Sequence, residues 1–398
     1  MQVLLIDDDE SKINRLKDFL ISQKINEKNI LISRDAADAR KKLAIYNIDL
    51  MLLDVLLPVR QGAKASGEHS IELLRQIVED GVFPAPKNII GITASEEALK
   101  QFNSEFRGVV TQVLHISPEF DDWKQILHNF IEYLKRVEVS KKSFEYDVVV
   151  LNALRKPELE AVYNTWDLTL SDECLVGSNI ACRKGIMSIA GRELKVACAH
   201  LSQMGPIAAT HTTEYILNLF KPRILIMTGI CGGFSDSVEL GDVVIADKSW
   251  DWQAGKWVED WSLLSALDPK DASSELVTIA RTIDSDMQNF YQEYTKYRPE
   301  KTPKLVTGPM VTGSSVVASQ DIQKVFKSQH RKMCAIDMEC YGLYYSCANH
   351  AGLKTKFICI KSVSDLADRE KADNFHEYCS YMSARVGMKL VEKYFLSI

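Results

Sequence analysis

Apolar, strand-like runs in this chain repeatedly end in carboxylates, and that recurrence constrains the fold more than any other feature. VLLI at 3–6 leads into Asp7-Asp8-Asp9, and the run at 48–53 leads into Asp54. In the C-terminal half, the run at 334–336 leads into Asp337-Met338-Glu339, and FICIKSVS leads into Asp365 with Asp368 beyond. A strand ending in carboxylates delivers them to the rim of a sheet, where open α/β folds bind their ligands. The stretch 335–368 holds two such clusters around an apolar, helix-like segment at 341–348, which makes it the leading candidate for a catalytic centre. Asp365 and Glu339 could each merely cap a following helix; their joint occurrence favours chemistry. Asp337 and Asp368 read as structural or solvated.

At 398 residues the chain exceeds one ordinary domain. A hydrophobic content of 46% and a charged content of 26% fit a globular protein with a sizeable core. The net charge of -6 argues against a general nucleic-acid or acidic-membrane surface. No apolar run approaches the roughly 20 residues of a membrane span, and the N-terminus shows no basic leader. The nine cysteines form no CxxC pair and several lie in apolar strands, as small hydrophobes in a reducing compartment do. A cytoplasmic protein with no nucleic-acid or membrane partner is expected.

Strands at 2–6, 48–53 and 88–92, the last ending in Thr93, alternate with helical patterns such as Ile13, Leu16, Phe19 and Leu20. That alternation implies a parallel sheet with helices on both faces. A helix over 118–137 carries a stripe of Trp123, Ile126, Leu127, Phe130, Ile131, Leu134 and Val137. The polar stretch 138–145 suits a linker, so the domains run 1–137 and 146–398. In the second, runs at 186–190 and 194–199 around Gly191-Arg192 predict a hairpin. Further strands are expected at 224–227, 243–246, 305–311, 334–336 and 357–360. After the strand at 224–227, Gly229, Gly232 and Gly233 predict a glycine-rich turn. The stretch 249–261 holds four of the six tryptophans; packing is favoured over a lid.

The first 137 residues resemble the receiver domain of response regulators. The resemblance implies a doubly wound, flavodoxin-like fold, with Asp54 in LLDVLLP as phosphoacceptor for an upstream histidine kinase or phosphorelay protein. It also implies a Mg²⁺ site formed by Asp7, Asp8 and Asp54 with the Leu56 carbonyl, and Thr93 as the switch hydroxyl. A carboxylate accepting phosphate needs a cation to neutralise the phosphoryl oxygens, and hard Mg²⁺ prefers oxygen ligands. One departure is plain: VLHISPEF has Ser117 before Pro118, where receivers carry a lysine.

From 146 onward, LSQMG, MTGICGG, DMEC and KSVSDLAD occur in the order and spacing of the nucleoside phosphorylase superfamily, in the branch of methylthioadenosine/S-adenosylhomocysteine nucleosidases. The resemblance implies an α/β/α domain around a mixed central sheet. It implies Asp365 as the acid that protonates purine N7, Glu339 as the ribose ligand with Met338 beneath the sugar, and Glu158 (or Glu160) as the residue activating water. Ser202 and Lys361 would flank that water, Gly229 would line the site, and Val316 would replace the usual aromatic base partner. No cofactor is required for glycosidic cleavage, and a homo-oligomer is expected.

Phosphorylases of this branch bind phosphate with an Arg and a Ser or Thr, a charge-assisted cradle. Met227 and Ile230 stand there instead, so water is the expected nucleophile. Fusion of a receiver to this domain resembles the effector of Detocs-type antiphage systems, which implies an adenine nucleotide, ATP above all, as substrate. Arg183, Lys184, Lys248 and Lys256 are the candidates for its phosphates. The alternatives are a metabolic methylthioadenosine/S-adenosylhomocysteine nucleosidase, a nucleoside phosphorylase, or a regulator whose second domain only binds a nucleoside.

Overall fold

The computed structural model describes residues 1–397 apart from 110–112, 117–118, 120, 142, 178–179, 260–261, 318–319 and 367–374. The chain forms two compact units, Met1–Lys141 and Lys142–Ile398.

In the first unit β1 (Val3–Ile6), β2 (Ile30–Ser33), β3 (Leu50–Asp54), β4 (Ile89–Thr93) and β5 (Val113–His115) pair in parallel in the order β2-β1-β3-β4-β5. The helices are α1 (Glu10–Ser22), α2 (Ala36–Ile45), α3 (Gly67–Val78), α4 (Glu96–Val109) and α5 (Asp122–Lys141). Successive strand residues face opposite sides of a sheet. Leu4 and Ile6 accordingly pack with Leu43, Leu74 and Phe106 of α2, α3 and α4. Val3 and Leu5 pack with Leu16 of α1 and with Leu127 and Ile131 of α5.

The structure differs from the sequence reading at α5. The helix starts at Asp122 and continues to Lys141, so residues 138–141 are helical, not linker. Polar helix formers such as Glu and Lys prolong a helix without an apolar pattern to announce it. Ile126 lies off the packed face and is exposed. Ser117 and Pro118 lie outside the described residues.

The second unit is built on a mixed sheet. Its strands are β6 (Tyr146–Asn152), β7 (Leu168–Leu170), β8 (Cys174–Val176), β9 (Ile180–Ile189), β10 (Arg192–His200), β11 (Pro222–Gly233), β12 (Val243–Asp251), β13 (Gly255–Trp257), β14 (Leu263–Ser265), β15 (Lys270–Asp271), β16 (Leu305–Thr312), β17 (Ala335–Asp337) and β18 (Lys356–Asp365). Its helices are α6 (Glu160–Thr165), α7 (Pro206–Phe220), α8 (Ser274–Arg281), α9 (Met287–Glu293), α10 (Gln320–Gln329), α11 (Cys340–Asn349) and α12 (His376–Ser397). Pairing runs from β11 through β18, β12, β16 and β17 back to β11, which closes a ring. On the other edge of β11 lie β6, β10, β9 and β7 in turn.

The predicted hairpin is β9–β10, turned by Ala190 at φ 49° and Gly191 at φ 80°, the two positive φ values a tight two-residue loop demands. The predicted glycine-rich turn is absent, because Gly229, Gly232 and Gly233 continue β11. Trp250 and Trp252 pack with Phe326 in a buried cluster, Trp257 is exposed on the β13–β14 hairpin, and Trp261 lies outside the described residues. All nine cysteines are free thiols and all but Cys174 are buried. Among the described residues no helix is long and apolar enough to cross a membrane.

Tyr344 of α11 ties the ring together. Its buried hydroxyl donates to the Ala246 carbonyl (2.5 Å) and accepts from the Cys359 amide (3.0 Å). These two residues pair at the end of the β12–β18 ladder. Tyr344→Phe leaves one buried carbonyl and one buried amide unpaired, and is expected to cost about 2–4 kcal/mol. Urea denaturation of the full chain checks this; an unchanged midpoint would refute the bridging role.

Candidate active site

The carboxyl ends of the parallel strands β6, β11 and β18 open, with the end of β17, onto a cleft of about 330 Å³. Glu158, Asp337, Met338, Glu339 and Asp365 line it, together with Ile230, Val316 and Ser364. Residues 158, 339 and 365 are far apart in sequence, and strand ends bring them together.

Glu158 enters on a π-helical turn, Arg155–Leu159, just after β6. It is buried, and its two carboxylate oxygens accept from the Leu154 amide (2.8 Å) and the Ile230 amide (2.9 Å). The close approach needs Gly229, whose φ is 151°; a Cβ there would lie 2.1 Å from Glu158 Oε1. Burial raises the Glu158 carboxyl above its usual range, while Lys361 and the two amides oppose that shift. Glu160 instead pairs with Lys156 at 2.9 Å and is not part of the cleft wall.

Lys361 is fully buried within β18, 3.4 Å from Glu339 Oε2 and 3.7 Å from Asp337 Oδ2. Burial would lower its pKa, but Glu158, Glu339 and Asp337 outweigh it and hold the ammonium well above its ordinary value. Asp337 is pushed up to about 6 by burial, against the pull of Lys361. Its oxygens accept from Thr312 Oγ1 (2.7 Å) and from the Cys340 amide (2.9 Å), which fixes the first turn of α11. Glu339 accepts from the Gly205 amide (3.1 Å), and Asp365 from Ser364 Oγ (3.3 Å).

Several expected contributors lie elsewhere. Ser202 is exposed and off the cleft wall; Met204 of the same loop lines the wall instead, and Gly205 reaches Glu339. Met227, which stands at the phosphorylase Arg position and was not expected to contribute, is fully buried in the core. Arg183 sits over the Tyr163 ring, Lys184 over Phe220, and Lys248 3.4 Å from Asp271, while Lys256 is exposed on β13; none lines the cleft. Sequence reasoning missed His376 at the start of α12, which no local motif marks, and Met204, whose signal was the LSQMG motif itself. Asp368 lies outside the described residues.

In the first unit, the ligand oxygens of Asp7, Asp8 and Asp54 lie within 4.8 Å of one another. The buried Lys12 ammonium stands between two of them, 2.9 Å from Asp7 Oδ2 and 2.8 Å from Asp54 Oδ2. The gap in which the expected Mg²⁺ would sit is thus bridged in this structure by a cationic side chain. Burial and the Asp7 charge push Asp54 up to about 7, with Lys12 and the Leu56 amide opposing. Buried Thr93 ends β4, its hydroxyl accepting from the Ser95 amide (3.1 Å).

Gly229→Ala forces Glu158 off its two amides and is expected to destabilise the protein by about 1–3 kcal/mol. The cost should shrink in a Glu158→Ala background, where the new methyl has room. Equal costs in both backgrounds, read by urea denaturation, would argue against this contact.

Residues 148–395 match the model of the Phosphorylase superfamily. An uncharacterised Sinorhizobium fredii protein, y4jS, is 28% identical and spans 99% of both chains. An ATP nucleosidase, Cap17, of Escherichia coli is 22% identical over 47% of this chain and only 39% of its own length. A death domain-containing ATP nucleosidase of Amphimedon queenslandica is 28% identical over 43% of this chain, again a minority (33%) of its own length. Among solved structures, a Helicobacter pylori methylthioadenosine/S-adenosylhomocysteine nucleosidase shares the fold, with a TM-score of 0.51 at 18% identity over 63% of this chain and 100% of its own. With the family model covering more than half of its length, the chain belongs to the Phosphorylase superfamily.

Proposed function

We propose that the second unit hydrolyses the N-glycosidic bond of adenine nucleotides, ATP above all, with water as nucleophile. The observation that carries this reading is the convergence of Glu158, Glu339 and Asp365 on one cleft whose wall, among the described residues, holds no Lys or Arg to cradle phosphate. Breaking the bond builds positive charge on the sugar, which a nearby carboxylate such as Glu339 stabilises more in the transition state than in the substrate. Asp365 supplies the proton that makes the purine a leaving group, and Glu158 orients water, the two-carboxylate logic of glycoside hydrolysis. Each amide bond on Glu158 leaves a lone pair for that water.

A phosphate nucleophile is disfavoured by charge. Among the described residues four carboxylates line the cleft (Glu158, Asp337, Glu339 and Asp365), and the lysine beside them is already surrounded by three of these. The ATP nucleosidases that resemble this chain support a nucleotide substrate. One observation favours a second reading, a methylthioadenosine or S-adenosylhomocysteine nucleosidase. Among the described residues the cleft wall is rich in apolar groups, including Met204, Val316 and Val317, and carries no Lys or Arg.

The first unit acts as a receiver-type switch, with Asp54 as phosphoacceptor for a histidine kinase or phosphorelay protein. Such control suits an antiphage effector, because unregulated ATP loss is toxic. A homo-oligomer in the cytoplasm completes the reading.

Chromatography of ATP, adenosine, methylthioadenosine and inosine, each with and without phosphate, tests the activity. Adenine plus ribose triphosphate from ATP, independent of phosphate, is the expected outcome; cleavage of methylthioadenosine alone favours the second reading. Asp365→Asn should reduce turnover by about 10²–10⁴-fold. Because burial raises the Glu158 pKa, water activation should be lost as pH falls through a value above the ordinary carboxylate range. A kcat/KM profile whose acidic limb lies at ordinary carboxylate values would contradict that role.

Acetyl phosphate or a cognate kinase should label the protein, and Asp54→Ala should abolish the label. Undiminished labelling would remove Asp54 as the acceptor.

A further inference from the structure

The pocket at the ends of β1 and β3 already contains a cation of its own. Asp7 and Asp54 stand at the ends of neighbouring parallel strands, Ile6 being paired with Leu53. Asp9 caps α1 by accepting from the Ser11 and Lys12 amides (2.8 and 3.1 Å), which sets Lys12 in the first turn of the helix. Helical side chains tilt back toward the helix N-terminus. The Lys12 side chain therefore returns to the strand ends, where only 3% of the residue remains exposed. Its ammonium meets Asp7 Oδ2 at 2.9 Å and Asp54 Oδ2 at 2.8 Å.

A Mg²⁺ ion shared by these two oxygens would lie about 2.0–2.1 Å from each and would demand octahedral ligation. It would occupy the gap the ammonium fills, and a second cation there would face strong repulsion at short range. The segment 113–120, VLHISPEF, carries no lysine, so that stretch brings no second ammonium to the pocket.

We propose that Lys12 is the resident cation of the Asp7–Asp54 pocket, standing in place of a divalent metal and keeping metal out. The fold itself then neutralises one carboxylate charge of the pocket, and Asp54 is set for its chemistry by an ammonium. The identity of the occupant does not depend on Asp54 accepting a phosphoryl group, so a failed label at Asp54 leaves this proposal standing.

Mn²⁺ titration of the full-length protein, followed by the loss of the free-ion electron paramagnetic resonance signal, tests it. The Lys12→Met variant should bind Mn²⁺ at least tenfold more tightly than the wild type, and adding Asp8→Asn should remove the gain. In the wild type, Asp8→Asn alone should leave Mn²⁺ binding unchanged. Equal affinity in the wild type and Lys12→Met, whether tight or weak, overturns the proposal. So does a loss of wild-type binding on Asp8→Asn, an arm that stands even where Lys12→Met fails to fold.

Discussion

The catalytic unit depends on the burial of Lys361 among Glu158, Glu339 and Asp337. Three carboxylates gathered in a low-dielectric site repel one another, and without a cation they would hold protons instead of charge. Lys361 opposes the rise in pKa that burial imposes on Glu158 and Asp337. Sheet register makes this arrangement specific. Lys361 pairs with Gly229 across β11 and β18, so the residue that compensates Glu158 lies beside the residue that makes room for it. A slip of one residue would invert every side chain of β18 and separate the two functions.

The first unit solves the same problem by a different route. Parallel strands again deliver carboxylates to their ends, and one buried lysine again bridges two of them. There the lysine comes from the first turn of the following helix, whereas in the second unit it comes from within a strand. The consequences differ. Lys361 bridges Asp337 and Glu339, and neither of its ion pairs involves Asp365. Lys12 contacts the candidate acceptor Asp54 directly, so charge compensation and reactivity are coupled in a single residue.

This contrast explains what was legible in the sequence. Apolar runs ending in carboxylates announced the strands and the rim of each sheet, and Gly191 announced the hairpin. A buried lysine has no such signal, because Lys is the residue most often assigned to solvent. Lys12 drew no reading from the sequence, and nothing in the sequence showed that Lys361, expected to flank the water, is fully buried among three carboxylates. The glycines of β11 were misread for a related reason. Glycine marks a turn when the chain reverses, but here it marks a strand that a distant carboxylate approaches, and that contact spans 71 residues of sequence. Ser202 was expected from its position in the LSQMG motif, while the cleft is met by the apolar side chain of Met204 and the backbone amide of Gly205, which carry little sequence signal.

The charge distribution also separates two properties that substrate recognition usually mixes. In the proposed reaction the nucleophile is chosen near Glu158, where the described carboxylates outnumber the lysine and a phosphate dianion would be repelled. That environment says nothing about the 5′ end of a bound nucleoside, which would lie away from the carboxylate proposed to orient water. Of the basic residues that looked suited to phosphates, Lys248 has a local ion pair, Arg183 and Lys184 lie over aromatic rings, and Lys256 is exposed. None of them lines the cleft among the described residues, so that wall brings none of these cations to the triphosphate tail of the proposed substrate. The hydrolytic machinery and the selection of the tail then rest on different residues, so the tail specificity of such a site can change without disturbing the carboxylates that cleave the bond.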